Sequence, residues 1–115
     1  MTPTIVVQDN KLRLVLGSPG GGTIINTVLE VLLNVLVYNM DVREAVTAPR
    51  FHHQWMPDEL RMENGYSPDT IALLEKRGYK VRRVNGQGEV AAIHFANGWL
   101  EGAPDPRTEA TAEGH

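Results

Sequence analysis

The strongest constraint on the fold is the apolar run from Ile24 to Met40, which directly follows a glycine-rich stretch. A membrane-spanning helix needs about 20 mostly apolar residues, and polar side chains interrupt this run, so we expect no membrane span. The run instead predicts a helix from Thr23 to Tyr38. Its polar members form one narrow stripe: Asn26, Thr27, Glu30 and Asn34. Because the rest of the circumference is apolar, we expect a long helix buried on more than one side.

Patterns on either side of this helix predict strands and two shorter helices. Two β-rich runs, Thr4–Val7 and Leu12–Leu16, are separated by the polar turn Gln8-Asp9-Asn10-Lys11 and predict a hairpin.

A second helix is predicted from Asp41 to Thr47, with Asp41 as its N-cap. A third begins at Ser67-Pro68-Asp69, with a serine cap and proline at its first position, and ends before Gly78.

The remaining segments complete an α+β fold with a largely antiparallel sheet. Further strands are predicted at Leu60–Glu63, Tyr79–Val84 and Glu89–Ala96, and the Asn97-Gly98 turn predicts another strand beginning at Trp99. Arg50–Pro57 is predicted to be irregular, as is the tail from 103 to 115. The whole chain, 1–115, is interpreted as one partial domain.

Composition excludes several classes of function. The 115 residues carry 11 Lys and Arg against 14 Asp and Glu, a formal net charge of −3, whereas nucleic-acid-binding proteins usually carry a basic excess. We therefore expect no nucleic-acid partner. The chain has no cysteine, so it can form neither disulfides nor thiolate zinc sites. Its first residues do not have the pattern of a signal peptide.

The segment Gly17-Ser18-Pro19-Gly20-Gly21-Gly22-Thr23 is the best candidate for a functional site. Successive glycines leave backbone N–H groups sterically open, and the following helix adds partial positive charge at its N-terminus. These groups together predict an anion site. Its ligand would be a phosphate, a carboxylate or the oxyanion of an acyl-transfer intermediate.

Three interpretations of this loop remain open at this point. Gly17 and Gly22 are spaced as in a Walker A phosphate loop, but Thr23 occupies the position where that motif needs lysine. A plain flexible turn between strand and helix is the second interpretation. An oxyanion hole is the third, and it requires a nucleophile and a base nearby.

The residues themselves offer few catalytic partners for the loop. Ser18 is a candidate nucleophile, but Leu16 stands where a Gly-x-Ser-x-Gly elbow needs its first glycine. Pairing of Ser18 with His52, His53 or His94 cannot be judged from spacing. Adjacent histidines in an extended chain point to opposite faces, so His52-His53 predicts no metal site.

For the same segment we expect a packed loop. Phe51, Trp55 and Met56 would anchor it, and the two imidazoles would form hydrogen bonds.

Several blocks, in order and with matching spacing, resemble γ-glutamyltranspeptidases over nearly the whole chain. The blocks are Pro3-Thr4-Ile5-Val6-Val7, Leu16-Gly17-Ser18-Pro19-Gly20-Gly21, Ala48-Pro49-Arg50-Phe51-His52-His53-Gln54-Trp55, Asp58-Glu59-Leu60-Arg61, Gly65-Tyr66-Ser67-Pro68-Asp69-Thr70 and Gly102-Ala103-Pro104-Asp105-Pro106-Arg107. The resemblance identifies the chain as the C-terminal part of the small subunit of such an enzyme.

The resemblance implies a fold and a mechanism. Members of the family are N-terminal-nucleophile (Ntn) hydrolases with an αββα sandwich, in which the N-terminal threonine of the small subunit attacks the γ-glutamyl carbonyl of glutathione or a similar amide. A γ-glutamyl-enzyme intermediate follows, which water or an amino-acid acceptor resolves. By resemblance, Gly20 and Gly21 are the catalytic and substrate-binding N–H donors of the oxyanion hole, and no cofactor or metal is implied.

Departures from the family pattern limit what this chain is expected to do alone. Nothing in it resembles the nucleophile motif, so the resemblance implies that the chain is inactive without the rest of the small subunit and the large subunit. Gly22-Thr23 also replaces the Ser-Arg or similar pair that is common in the family after the two glycines. The isolated chain is expected to self-associate through its apolar helix.

Two further expectations follow from the resemblance. Intact members of the family are periplasmic or extracellular. The alternative function is a non-catalytic binding or assembly domain of the same fold.

Overall fold

The computed structural model describes residues 3–114 and divides into two compact units. The first unit contains the residues before Pro49 and those after Gln87. The second unit is Pro49–Gln87. In chain order the elements are β1 (Thr4–Gln8), β2 (Lys11–Gly17), a short 3-10 helix (Gly21–Thr23), α1 (Ile24–Leu36), α2 (Val42–Thr47), β3 (Phe51–His52), β4 (Leu60–Glu63), α3 (Pro68–Lys76), β5 (Val81–Val84), β6 (Ala91–Ala96) and β7 (Trp99–Ala103).

The first unit is built on a four-stranded antiparallel sheet in the order β1-β2-β6-β7. Both of its hairpins have the turns that the sequence predicted. Asp9 and Asn10 have φ of 52° and 58°, and Asn97 and Gly98 have φ of 52° and 82°. Positive φ at both central residues gives a turn whose twist matches that of the flanking strands.

One face of this sheet packs against α1 and α2 to form the main core. The sheet contributes Leu14, Leu16, Ala92 and Ala103, and the helices contribute Val28, Val31, Val35, Val42, Ala45 and Val46. Alternation along β2 sends Leu14 and Leu16 inward, because successive side chains of a strand point to opposite faces. The Asp41 carboxylate caps α2 by accepting a hydrogen bond from the Glu44 N–H at 2.8 Å, as the sequence predicted.

The first helix is shorter than predicted, and in the described chain its core contact lies along one face. It ends at Leu36 rather than Tyr38. An apolar stripe along its outer face remains exposed, consisting of Ile25, Leu29, Leu33 and Leu36. Ile25 is 80% exposed and Leu29 is 48% exposed. The face of the sheet that points away from the helices also exposes apolar side chains, among them Ile5, Val7 and Ile93.

The second unit has its own small sheet in the order β3-β4-β5. A β3 strand at Phe51–His52, antiparallel to β4, corrects the expectation of an irregular segment there. Strand β5 runs parallel to β4 because α3 forms the crossover between them. Leu60, Met62 and Ile71 form the core of this unit. Ser67 caps α3, with its Oγ accepting from the Thr70 N–H at 3.2 Å, as predicted.

Candidate functional site

The glycine-rich loop connects the end of β2 at Gly17 to the helix that begins at Ile24. Gly20 has φ of 137°, a backbone conformation that side-chain-bearing residues rarely adopt. Its carbonyl oxygen accepts two hydrogen bonds from Thr23, one from the backbone N–H at 3.2 Å and one from Oγ1 at 2.9 Å. Thr23 therefore closes the turn that carries Gly20.

The N–H groups of the loop are available to a ligand. Gly20, Gly21 and Gly22 are exposed. Within residues 3–114 the N–H groups of Gly20 and Gly21 donate to no protein acceptor, whereas the Thr23 N–H is used inside the turn. Two adjacent free N–H groups beside the first turn of a helix form an arrangement that favours an anion.

Ser18 does not have the environment of a nucleophile. The residue is fully buried, and its Oγ donates to the Pro19 carbonyl oxygen at 2.7 Å. The same Oγ accepts a hydrogen bond from the Glu89 N–H at 3.2 Å. A nucleophilic hydroxyl must face its substrate and a base, and this one instead forms two hydrogen bonds with the backbone.

The three histidines considered with Ser18 have other partners. The His94 Nδ1 lies 3.4 Å from the Glu101 carboxylate across the β6–β7 pair. The His52 Nε2 lies 3.0 Å from Gln54 Oε1, and the His53 Nε2 lies 3.2 Å from Asp58 Oδ1. The sequence suggested Ser18–histidine pairing as an option, and none of these contacts provides it.

The segment around the paired histidines is organised differently from the expectation. The imidazoles form hydrogen bonds, as predicted, and Phe51, 44% exposed, packs edge-on against Tyr66 with ring centroids 6.5 Å apart. Trp55 and Met56, in contrast, are 78% and 61% exposed and do not anchor the loop from within. Trp55 has φ of 71°, and its N–H donates to His53 Nδ1 at 3.2 Å.

A buried polar network stabilises the second unit, and sequence reasoning missed it. Arg50, Glu63 and Gln87 are at most 7% exposed. The Glu63 carboxylate accepts the N–H of Arg50 at 2.9 Å and the N–H of Gln87 at 2.5 Å. The Arg50 Nη1 donates to the Gln87 carbonyl oxygen at 2.8 Å, and Gln87 Nε2 returns a bond to the Arg50 carbonyl oxygen at 3.1 Å.

Near the surface of the second unit, Glu59 accepts hydrogen bonds from two arginines. Its Oε1 lies 2.9 Å from Arg61 Nε and 3.1 Å from Arg82 Nη1. The hydrogen bond from Arg61, followed by that from Arg82, holds the pKa of the Glu59 carboxyl below its usual range. These two ion pairs link Glu59 to the neighbouring strands β4 and β5.

The sequence analysis also missed the residues behind the glycine loop. Gly88 has φ of 67°, and a Cβ placed on it would lie 2.6 Å from Thr27 Oγ1 and 3.1 Å from Ser18 Oγ. About seventy residues separate Gly88 from Ser18 along the chain, so no local pattern predicts the contact. The only signal was the glycine-rich stretch Asn85-Gly86-Gln87-Gly88.

The described residues contain neither a metal-binding cluster nor a membrane-spanning helix. Across positions 3–114, no group of three or more His, Asp and Glu side chains is arranged to hold a metal ion. In the same part of the chain, no helix has the length and apolarity to cross a membrane.

Comparison with known proteins gives consistent matches. The family model described as Gamma-glutamyltranspeptidase matches residues 1–115. The glutathione hydrolase proenzyme of Escherichia coli strain K12 is 54% identical over 109 residues, which are 94% of this chain. A solved mutant of Helicobacter pylori gamma-glutamyltranspeptidase is 50% identical, with a TM-score of 0.88 over 94% of this chain. Gamma-glutamyltranspeptidase from Pseudomonas nitroreducens is 32% identical, with a TM-score of 0.92 over the whole chain.

The chain spans only part of each of these proteins. It corresponds to 19% of the E. coli proenzyme. It covers 61% of the solved H. pylori chain and 62% of the solved P. nitroreducens chain. The matching family model, the identity to glutathione hydrolases and the shared α+β fold agree, and the chain belongs to the gamma-glutamyltranspeptidase family.

Proposed function

We propose that this chain is the C-terminal part of the small subunit of a γ-glutamyltransferase or glutathione hydrolase, and that it supplies the oxyanion hole. In this proposal a threonine outside the 115 residues attacks the carbonyl of a γ-glutamyl amide such as glutathione. The N–H groups of Gly20 and Gly21 donate to the oxyanion that forms. The γ-glutamyl-enzyme intermediate is then resolved by water or by an amino-acid acceptor.

The observation that carries the proposal is the pair of exposed N–H groups at Gly20 and Gly21. Neither donates to an acceptor within residues 3–114, and both lie at the start of the 3-10 helix Gly21–Thr23 that leads into α1. An oxyanion hole needs donors that are fixed before the charge develops. The two bonds from Thr23 to the Gly20 carbonyl oxygen provide that fixation.

The burial of Ser18 supports a nucleophile from elsewhere. Its hydroxyl forms two backbone hydrogen bonds and is inaccessible to substrate. The neighbouring hydroxyl of Thr23 is likewise used by the Gly20 carbonyl oxygen. The loop therefore has N–H donors for a developing negative charge, whereas the hydroxyls of Ser18 and Thr23 are already hydrogen-bonded to the backbone.

The assignment to the small subunit is supported by the lengths of the relatives. The chain covers 61% of the solved H. pylori chain but 19% of the E. coli proenzyme. The solved H. pylori chain is thus much shorter than the E. coli proenzyme. This is expected if a precursor is cleaved into two subunits and the present chain corresponds to part of the shorter subunit.

The two exposed apolar faces of the first unit support an αββα sandwich with other parts of the enzyme. The stripe on α1 that begins at Ile25 and the outer face of the sheet around Ile5 are both unlike ordinary surfaces of monomeric proteins. In the intact enzyme, further elements of the small subunit would cover the sheet and other segments would cover α1. The helix would then be buried on more than one side.

The proposal is tested by release of a chromophore from a γ-glutamyl anilide. We expect no release by the purified chain alone and activity when the remaining part of the polypeptide is supplied in trans. Activity of the chain alone would contradict the assignment of the nucleophile. A well-folded complex with no activity would favour the alternative, a non-catalytic binding or assembly domain.

The role of the loop is tested by Gly20→Ala in the complemented enzyme. A Cβ at this position would lie 2.6 Å from Thr23 Oγ1, so the loop must change shape. Loss of one oxyanion donor lowers kcat about 100-fold or more, and we expect that loss with a smaller change in KM. Gly78→Ala is the matched control, because Gly78 also has positive φ, 96°, but has open space around its Cβ position. Equal kcat values for the two variants would contradict an oxyanion hole at Gly20.

A further inference from the structure

We propose that Ser18, Gly88 and Glu89 form a latch behind the oxyanion loop and that Ser18 and Gly88 are positioning residues for the N–H groups of Gly20 and Gly21. The inference rests on the proposed function, because it concerns the orientation of the same donors. None of the three residues needs to touch substrate. Their effect is on the rate of the step in which the oxyanion forms.

The latch is centred on the Ser18 hydroxyl. Ser18 is fully buried, and its Oγ donates to the Pro19 carbonyl oxygen at 2.7 Å while accepting from the Glu89 N–H at 3.2 Å. The first bond constrains the peptide plane between Pro19 and Gly20, which also carries the Gly20 N–H. The second bond connects this plane to the segment that leads into β6. The Ser18 side chain thus fixes the backbone immediately before the two N–H donors of Gly20 and Gly21.

Gly88 makes the close approach of this segment possible. Its φ of 67° favours glycine, and its Cβ position is filled from two sides: Thr27 Oγ1 and Cγ2 would lie 2.6 Å and 2.8 Å away, and Ser18 Oγ 3.1 Å away. Its Cα also lies 3.8 Å from the Cβ position of Gly20. Any side chain at 88 must push the segment away from Ser18, from the first turns of α1, or from both.

Small displacements of the loop matter for the chemistry. An oxyanion donor acts only when its N–H lies within hydrogen-bond distance of the position that the oxyanion takes up, and a misplacement of about 1 Å can cost about 100-fold in rate. Because these donors bond more strongly to the developing oxyanion than to the ground-state carbonyl, their displacement costs more in the transition state than in substrate binding. A loosened latch should therefore lower kcat and leave KM nearly unchanged.

The first test is Ser18→Ala in the complete polypeptide, extended to the length of its relatives. The substitution removes both hydrogen bonds with little change in volume. We expect kcat for the γ-glutamyl anilide to fall about tenfold or more at constant KM. A variant with a lowered Tm but a wild-type kcat would show that Ser18 is only structural, and this would overturn the proposal.

The second test is Gly88→Ala, compared with Gly98→Ala. Both glycines belong to the first unit and have positive φ, 67° and 82°, but a Cβ at Gly98 meets nothing within 4 Å. Both alanine variants therefore carry the cost of a side chain at positive φ. Only the alanine at position 88 also overlaps with neighbouring atoms. We expect Gly88→Ala to lose at least tenfold in kcat and Gly98→Ala to lose less than twofold. Equal losses would contradict a steric role for Gly88.

A double variant keeps the proposal testable if Gly88→Ala folds poorly. Thr27→Ala removes the two atoms that a Cβ at 88 would strike first. We expect Thr27→Ala alone to keep kcat within about twofold, and Thr27→Ala combined with Gly88→Ala to recover most of the loss. Absence of any recovery in a folded double variant would count against the latch.

Failure of the inference can be separated from failure of the proposed function. If Gly20→Ala leaves kcat unchanged, this loop does not form an oxyanion hole, and both the proposed function and the latch are wrong. If Gly20→Ala lowers kcat while Ser18→Ala and Gly88→Ala do not, the oxyanion hole stands and the latch is wrong.

Discussion

Asp105 and Arg107 form a buried ion pair that connects three parts of the first unit. Asp105 Oδ1 lies 3.0 Å from Arg107 Nη1, and Asp105 is 1% exposed. The other carboxylate oxygen, Oδ2, accepts the Val90 N–H at 2.7 Å. The arginine donates to the carbonyl oxygens of Val46 at 3.0 Å and Ala48 at 2.9 Å, at the end of α2. The described residues after β7 form neither helix nor strand, as expected, and their side chains hold the end of α2 and the residue before β6 together.

Replacing Asp105 should destabilise the first unit strongly. Asp105→Ala leaves the Arg107 guanidinium without its counter-charge and the Val90 N–H without the carboxylate oxygen that accepts it, and breaking a buried pair in this way typically costs about 3–5 kcal/mol. Thermal or urea unfolding should show the loss directly. Glu109→Ala, at an exposed position nearby, should change the free energy of unfolding by less than about 0.5 kcal/mol. Similar effects of the two substitutions would show that the pair contributes little.

Replacing Glu63 should also destabilise the second unit, even when the new side chain keeps the same shape. The two carboxylate oxygens of Glu63 accept the N–H groups of Arg50 and Gln87. Glu63→Gln replaces one of these oxygens with an NH₂ group, which is a donor and faces another donor. A buried donor left unsatisfied costs about 1–3 kcal/mol, so we expect unfolding at lower denaturant concentration. Glu75→Gln, the same substitution at an exposed position of α3, is the control and should be nearly neutral.

Glu59 should make a pH-dependent contribution to stability. Its pKa is lowered, chiefly by the hydrogen bond from Arg61, so the ionised form is favoured in the folded state. A lowered folded-state pKa gives stability that is present above the unfolded pKa of about 4.3 and is lost as pH falls through the folded pKa. Tm of Glu59→Gln should therefore lie below wild type at pH 7 and converge with it at pH 3.

Arg82→Gln tests the pH-dependent contribution of Glu59 by removing one of the two hydrogen bonds to its carboxylate and keeping the one from Arg61. Its Tm should fall less than that of Glu59→Gln at pH 7 and should converge with wild type over the same pH range. A Tm difference that is independent of pH in both variants would contradict the ion pair.

The outer stripe of α1 should control association of the isolated chain. Exposed apolar side chains in contiguous patches promote contacts between molecules, so we expect the wild-type chain to self-associate and Ile25→Gln combined with Leu29→Gln to reduce it. Sedimentation velocity over a range of concentrations measures the change. Leu73→Gln replaces an exposed leucine, 60% exposed, in the second unit and should leave association unchanged. A monomeric wild-type chain would show the expectation to be wrong.

Local sequence signals predicted the elements of this protein well. Asp9-Asn10 and Asn97-Gly98 form hairpin turns because these residues tolerate positive φ. Asp41 and Ser67 cap the helices that follow them because their side-chain oxygens accept free N–H groups of the first turn. The glycine loop ends β2 and is followed by α1, as the apolar pattern indicated.

Pairings between distant segments were not predictable in the same way. Local patterns predicted the strands, but they predicted neither the partition of these strands into two sheets nor the parallel pairing of β4 with β5. It marked Phe51, Trp55 and Met56 as anchors from their apolar side chains, although the structure leaves them exposed.

For the candidate site, the sequence alone determined which atoms can act. Three consecutive glycines before a helix open their N–H groups to a ligand wherever the loop is placed, because steric freedom and the helix terminus are local properties. Only the tertiary structure decided that Ser18 is buried and hydrogen-bonded to Glu89, and that Gly88 lies against Thr27. These contacts join residues about sixty to seventy positions apart. Their energies depend on distances that only the packed chain defines.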